Sequence, residues 1–170
     1  MNLILCGMMG AGKTTVGIKI AETVGLRWYD TDDVIVENHG KISDIFKRYG
    51  EEYFRKLETE TVAKLSKKDG LVISVGGGLV LKEENVELLK RNGKIVYLRA
   101  GLETIERRLS TDSTRPLLQA DGESLRERLA RLLKERAPIY ERVADYILEV
   151  DGKTPEEIAA EAVALMNDEK

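Results

Sequence analysis

Gly7-Met8-Met9-Gly10-Ala11-Gly12-Lys13-Thr14 fits the pattern Gly-x-x-x-x-Gly-Lys-Ser/Thr, which is built to hold phosphate. Glycines let successive backbone N–H groups turn onto the anion, and a helix starting at the loop aims its positive end at the same place. In such a loop Lys13 reaches the β- and γ-phosphates of a nucleotide, and the Thr14 hydroxyl ligates Mg²⁺. The flanks agree with this reading. Leu3-Ile4-Leu5-Cys6 reads as a buried strand, and Thr15 to Val24 reads as an amphipathic helix.

Two further groups of residues could do chemistry beside that loop. Tyr29-Asp30-Thr31-Asp32 closes a second apolar run, and strand alternation would aim Asp30 and Asp32 the same way at the carboxyl edge of a sheet. One carboxylate could support Mg²⁺ and the other meet a substrate hydroxyl; the plainer alternative is helix capping, which Asp33 suits better. Ser74-Val75-Gly76-Gly77-Gly78 follows a third run, and three glycines would leave backbone N–H groups open as a clamp, unless they form a simple turn. Arg55 and Glu58 stand three apart on a helical stretch, where the acid can orient the guanidinium or merely form a surface pair. Arg136, in Arg136-Ala137-Pro138-Ile139-Tyr140, ends a long basic helix whose negative end it could simply complement. Ser110 to Gly122 is polar and turn-rich and reads as a lid or an ordinary surface loop; beside a phosphate loop, its Arg115 is a candidate to reach the transferring phosphoryl group.

The elements that must position these residues alternate. Apolar runs at 3–6, 26–29, 71–75, 95–98 and 146–148 are separated by helical patterns at about 13–24, 33–38, 43–48, 51–67, 81–91, 102–109, 123–136 and 155–167. Strands divided by helices mean βαβ units and a parallel sheet. More than one helix fits between Asp32 and Lys67, so this insert is expected to build a substrate site above the sheet.

With 170 residues and no linker-like tract, one domain is expected over 1–170. A net charge of −3 argues against nucleic acid as the main partner, and no apolar run approaches the roughly 20 residues that span a bilayer. The N-terminus enters a strand directly, so the cytoplasm is the expected location. Cys6 is the only cysteine and reads as a buried small hydrophobe; His39, also alone, sits in a turn beside Gly40 and cannot build a metal site.

Taken together, Gly7 to Thr15, Asp30-Thr31-Asp32, Phe54-Arg55, Gly76-Gly77-Gly78, Arg115-Pro116-Leu117-Leu118 and Arg136-Ala137-Pro138-Ile139-Tyr140 resemble the shikimate kinase family over nearly the whole chain. The resemblance implies an α/β fold of the nucleoside-monophosphate-kinase type. Its five-stranded parallel sheet would run 2-3-1-4-5 with helices on both faces, a substrate-binding insert at about 32–60 and a lid at about 110–122. It implies phosphorylation of the shikimate 3-hydroxyl by MgATP on the route to aromatic amino acids, by an enzyme expected to be a monomer. Gly10, Ala11, Gly12, Lys13, Thr14 and Thr15 would cradle ATP, with Arg115 on the phosphates, Arg108 beside the adenine and Lys153 a weaker neighbour. Asp32 would hold and deprotonate the hydroxyl, and Asp30 would support Mg²⁺ beside Thr14. Arg55 and Arg136 would bind the substrate carboxylate, with Gly76, Gly77 and Gly78 beside them and the Gly78 N–H donated to the substrate. The family pattern places Ile-Glu after the Asp-x-Asp element; here Val36 intervenes before Glu37, and the turn at Gly40-Lys41-Ile42 is one residue short.

The residues themselves favour the same acceptor, because two arginines about 80 positions apart suit a small anion through paired hydrogen bonds. A gluconate-type kinase would share the loop and sheet without needing Asp32, Arg55, Gly78 and Arg136 in this order. A nucleotide kinase needs a base-reading pocket, and a GTPase needs Asn-Lys-x-Asp, which is absent. A nonenzymatic nucleotide-binding module would be expected to lack one of Lys13, Asp32 and Arg115, and all three are present.

Overall fold

The computed structural model describes residues 1–111 and 122–168. Its strands are β1 (Asn2–Cys6), β2 (Arg27–Asp30), β3 (Leu71–Ser74), β4 (Gly93–Arg99) and β5 (Tyr146–Glu149). They form one parallel sheet in the order β2-β3-β1-β4-β5. The middle strands are apolar almost throughout because a parallel sheet is covered on both faces. β1 and β3 are buried at every position, whereas β2, at the edge, is only partly covered.

The helices are α1 (Lys13–Val24), α2 (Thr31–His39), α3 (Ile42–Tyr49), α4 (Glu51–Leu65), α5 (Glu83–Lys90), α6 (Leu102–Ser110), α7 (Leu125–Val143) and α8 (Pro155–Asp168). A 3-10 turn spans Leu79–Leu81. α1 packs on β2, β3 and α8, while α5 and α7 pack on β4. The main core runs through Ile4, Leu5, Ile73, Tyr97 and Leu98 and includes Cys6, whose thiol burial pushes up to about 12. A thiol so held is inert, as expected of a small apolar residue.

Between β2 and β3 lies the three-helix insert α2–α4, which has a small core of its own: Ile35, Ile45, Phe54 and Leu57. The Phe46 and Phe54 rings meet there with centroids 5.0 Å apart. The insert is thus a packed platform and not a loop, so residues on α2 and α4 hold fixed positions over the sheet edge.

Two of the element boundaries that differ from the sequence reading bear on function. β2 stops at Asp30, and Thr31 already begins α2, so Asp30 and Asp32 do not alternate along a strand. α7 does not end at Arg136; it continues through Pro138 to Val143. Proline removes one helical hydrogen bond, but burial of Tyr140 and Val143 beyond it more than offsets that loss. Arg136 therefore projects from a helix interior, where no terminal dipole explains it.

Candidate functional site

The phosphate loop joins β1 to α1 at the carboxyl edge of the central strand. Gly12 caps α1 with φ +98°, a conformation that side-chain-bearing residues rarely adopt, and a Cβ there would come 3.1 Å from Arg108 Nη1. Lys13 Nζ donates to the carbonyls of Gly7 at 2.6 Å and Met8 at 3.1 Å, so the ammonium lies folded over the loop. Thr14 and Thr15 are exposed in the first turn of α1, and Ala11 is buried beneath. Arg108, on α6, donates to the Gly10 carbonyl at 3.1 Å and closes one side of the loop.

A polar chain supports Lys13 from behind. An indole N–H can only donate, so Ser74 Oγ accepts from Trp28 Nε1 at 3.0 Å and spends its own proton on the Lys13 carbonyl at 2.8 Å. Gly17 makes room for this chain, because a Cβ there would lie 2.6 Å from Trp28 Nε1 and 2.7 Å from Ser74 Oγ. Neither Trp28 nor Gly17 was singled out by the sequence reading, since nothing local marks either one.

Asp30, and not Asp33, caps α2: its Oδ1 accepts from the N–H groups of Asp32 at 2.8 Å and Asp33 at 3.1 Å. A cap needs extended backbone before the helix, and Asp30 has it, with φ −109° and ψ 128°. Burial pushes the Asp30 carboxyl up to about 6 against those hydrogen bonds. Among the described residues no group of three or more His, Cys, Asp or Glu side chains could enclose a metal. Mg²⁺ travelling with a nucleotide needs no such cage, since one or two protein oxygens plus phosphates and water complete its shell. A partly buried acid at Asp30 and an exposed hydroxyl at Thr14 suit that donor set.

The three glycines after β3 serve mainly as space. None of Gly76, Gly77 and Gly78 has positive φ, yet each would collide with a different functional side chain if it carried a Cβ. At Gly76 that atom would lie 2.9 Å from Asp32 Oδ1 and 3.2 Å from Glu58 Oε2; at Gly77, 2.9 Å from Arg136 Nη1 and 3.9 Å from the Gly7 carbonyl; at Gly78, 2.7 Å from both terminal nitrogens of Arg55. The turn thus brings Asp32 from α2, Arg55 and Glu58 from α4 and Arg136 from α7 against one stretch of backbone beside the phosphate loop. The Gly76 N–H is not open as a clamp, because it donates to the buried Thr31 hydroxyl at 3.0 Å. Tyr140 donates its hydroxyl to the Gly77 carbonyl at 2.5 Å and pins the turn from the other side.

Arg55 and Glu58 are no surface pair. Glu58 is 1% exposed and accepts from Arg55 Nη1 at 2.6 Å. Burial raises the Glu58 carboxyl and Arg55 opposes that rise, with Arg136 adding a weaker pull in the same sense. Burial alone would lower Arg55, but its hydrogen bonds to Glu58 and to Glu51 leave it raised and firmly charged. The Phe54 ring lies 5.4 Å from the guanidinium carbon. A buried acid bonded to Arg55 fixes the plane of that guanidinium, and the charge of Arg136 acts on the same acid from α7.

Of the remaining expected residues, Lys153 pairs with Glu161 at 2.8 Å, in the turn before α8. Beside it, Asp151 accepts from the Gly101 N–H with both oxygens, at 3.0 and 3.1 Å, tying the turn after β4 to the turn after β5. That hydrogen bond and one from Thr104 hold the Asp151 carboxyl below its usual range. Arg115 and most of the 110–122 segment lie outside the described residues. His39 closes α2 beside Gly40, exposed, as a turn residue.

The role of the glycines makes one substitution diagnostic. Gly78→Ala is expected to lower the melting temperature modestly: φ −97° suits alanine, but the methyl displaces the Arg55 guanidinium from its bond to the buried Glu58. The displaced Arg55 should weaken acceptor binding about tenfold or more while nucleotide binding holds. Calorimetric titration with each ligand checks this, and equal loss of both would show a general distortion instead.

Comparison with known proteins places this geometry. The shikimate kinase family model matches residues 9–167. The shikimate kinase of Caldanaerobacter subterraneus subsp. tengcongensis is 45% identical over 163 residues, covering 95% of this chain and 94% of that protein. The one from Thermodesulfovibrio yellowstonii is 42% identical over 163 residues, covering 95% and 92%. Among solved structures, the shikimate kinase of Acinetobacter baumannii in complex with shikimate superposes with a TM-score of 0.91 at 38% identity, covering 99% of this chain and 94% of that one. The Aquifex aeolicus enzyme gives 0.82 at 34% identity, covering 99% and 98%.

Proposed function

The chain belongs to the shikimate kinase family, and from that premise we propose how its residues divide the work of moving a phosphoryl group from MgATP to the 3-hydroxyl of shikimate. It is a small-molecule kinase serving the route to aromatic amino acids. The observation that carries the division of labour is the glycine turn: one face gathers Asp32, Glu58, Arg55 and Arg136, and Gly77 lies against Gly7 of the phosphate loop. Acceptor and donor sites therefore abut, as in-line transfer requires.

Gly10, Ala11, Gly12, Lys13, Thr14 and Thr15 bind the ATP phosphates, and Arg108 borders the nucleotide from α6. Lys153, with Asp151 and Gly101, shapes the far wall. Lys13 stabilises charge on the γ-phosphate as it departs, joined by Arg115 from the 110–122 segment acting as a lid. Thr14 and Asp30 are the residues that would hold Mg²⁺, which would supply neutralising charge to the nucleotide phosphates when bound. Asp32 accepts a hydrogen bond from the substrate hydroxyl, orients it toward the phosphorus and takes its proton as the new bond forms. Arg55 and Arg136 grip the carboxylate at the opposite end of the ring, Gly78 adds a backbone N–H, and Glu58 keeps Arg55 planar to its target. A single domain acting as a monomer in the cytoplasm suffices for this chemistry. Among the described residues no helix is long and apolar enough to cross a membrane.

ATP consumption measured with shikimate, gluconate and nucleoside monophosphates tests the assignment, with turnover expected for shikimate alone. Turnover on gluconate or a nucleotide at comparable rate would replace the acceptor. Lysine at either arginine keeps the charge but loses the paired planar donors, so Arg55→Lys and Arg136→Lys should each weaken shikimate binding by about 1–3 kcal/mol and barely change ATP binding. A shikimate analogue with a neutral carboxamide should be strongly rejected by the wild type and less so by each variant. An enzyme indifferent to that replacement would remove the clamp.

A further inference from the structure

We infer that Thr59 and Asn85 are positioning residues for substrate specificity, setting the gap between Arg55 and the glycine turn through a directional hydrogen-bond chain that joins α4, α5 and the 3-10 turn. The inference rests on the assignment of Arg55 and Gly78 to the substrate carboxylate.

Asn85 is 1% exposed, and both atoms of its amide are used. The Leu79 carbonyl can only accept, so it takes Nδ2–H, at 2.8 Å, and this dictates the amide's orientation. Oδ1 then faces the Thr59 hydroxyl at 2.8 Å. Lys82 Nζ, a pure donor, reaches the same hydroxyl at 3.1 Å. Thr59 must accept from Lys82, which leaves its single proton for Asn85, with the Arg55 carbonyl at 3.2 Å as the longer alternative. The chain therefore runs one way, from Lys82 through Thr59 and Asn85 to Leu79, and each link polarises the next.

Both ends of this chain touch the acceptor site. Thr59 stands one helical turn beyond Arg55 on α4, within reach of the Arg55 carbonyl itself. Leu79 is the residue after Gly78, on which the Arg55 guanidinium rests. Shikimate's carboxylate would have to meet Arg55 and the Gly78 N–H at once, so the distance between α4 and the turn decides whether both bonds form. Apolar contact alone would leave that distance free to slide, whereas a buried amide hydrogen-bonded on both sides fixes it. Nothing in the chain reaches the phosphate loop, so its effect should fall on one substrate only.

Thr59→Val removes the hydroxyl and keeps the shape, and Thr59→Ser restores the hydroxyl. In steady-state assays Thr59→Val should raise the KM for shikimate about tenfold and leave the KM for ATP within twofold, and Thr59→Ser should return the shikimate KM close to wild type. Discrimination against the carboxamide analogue should fall in Thr59→Val and recover in Thr59→Ser. In an Arg55→Lys background the valine substitution should add little, because its effect passes through Arg55. Asn85→Ala gives a second reading where it folds, with the same split between substrates. An unchanged shikimate KM in folded Thr59→Val, an equal rise in both KM values, or a rise that serine does not reverse would each overturn the positioning role. Absence of shikimate turnover in the wild type would instead overturn the functional assignment on which it rests.

Discussion

Lys13→Ala is expected to abolish phosphoryl transfer, by at least about a thousandfold in kcat, while the protein stays folded. The ammonium donates to two loop carbonyls, Gly7 and Met8, which can be hydrated once the side chain is gone. Little stability should be lost, because the side chain lies folded over the loop and the buried residues beneath it keep their packing. The transferred group carries its charge on equatorial oxygens, and in the proposed division of labour Lys13 is the cation that the loop delivers to them. Single-turnover assays with circular dichroism on the same sample provide the check. Near-normal turnover in a folded variant would refute the phosphate-loop assignment.

Asp32→Asn should lower kcat by about 10²–10⁴-fold with nucleotide affinity retained. The substitution keeps size and hydrogen-bonding shape beside Gly76 but removes the capacity to take a proton. It also removes a negative charge that raises the neighbouring Glu58 and Asp30 carboxyls, so both should ionise slightly more readily in the variant. Local stability is therefore not expected to fall. Titrating ATP by calorimetry alongside the kinetics separates the roles. Unchanged kcat with weakened MgATP binding would move Asp32 from the substrate hydroxyl to the metal.

Much of this site was legible because its signals are local. The phosphate loop declares itself through spacing and flanking elements, and the strand pattern led to the sheet because buried parallel strands read as short apolar runs. The helices of the insert were visible for the same reason. What a single sequence does not carry is convergence. Arg55 and Arg136 stand on separate helices about 80 positions apart, and it is the resemblance to a family, with their shared fitness for a small anion, that joins them at the level of sequence. Glu58, three residues from Arg55, has the spacing of a surface pair, and its burial depends on the glycine turn lying against it. The cap on α2 went to Asp30 because strand and helix meet there without a linker, which alternation cannot reveal. The basic helix read as ending at Arg136, and the packing of Tyr140 carries α7 past Pro138 to Val143. The three glycines announced a turn, but the use of their missing side chains as seats for Asp32, Arg136 and Arg55 is a property of the assembled site.

The support behind Lys13 also makes the phosphate loop observable. Trp28 is the only tryptophan in the chain, and its indole N–H is bonded to Ser74, whose hydroxyl holds the Lys13 carbonyl. Indole emission changes with the strength of the hydrogen bond it donates. A shift of the loop that strains the Ser74–Lys13 bond would therefore reach one fluorophore through one hydroxyl, a native optical gauge of the loop that needs no label.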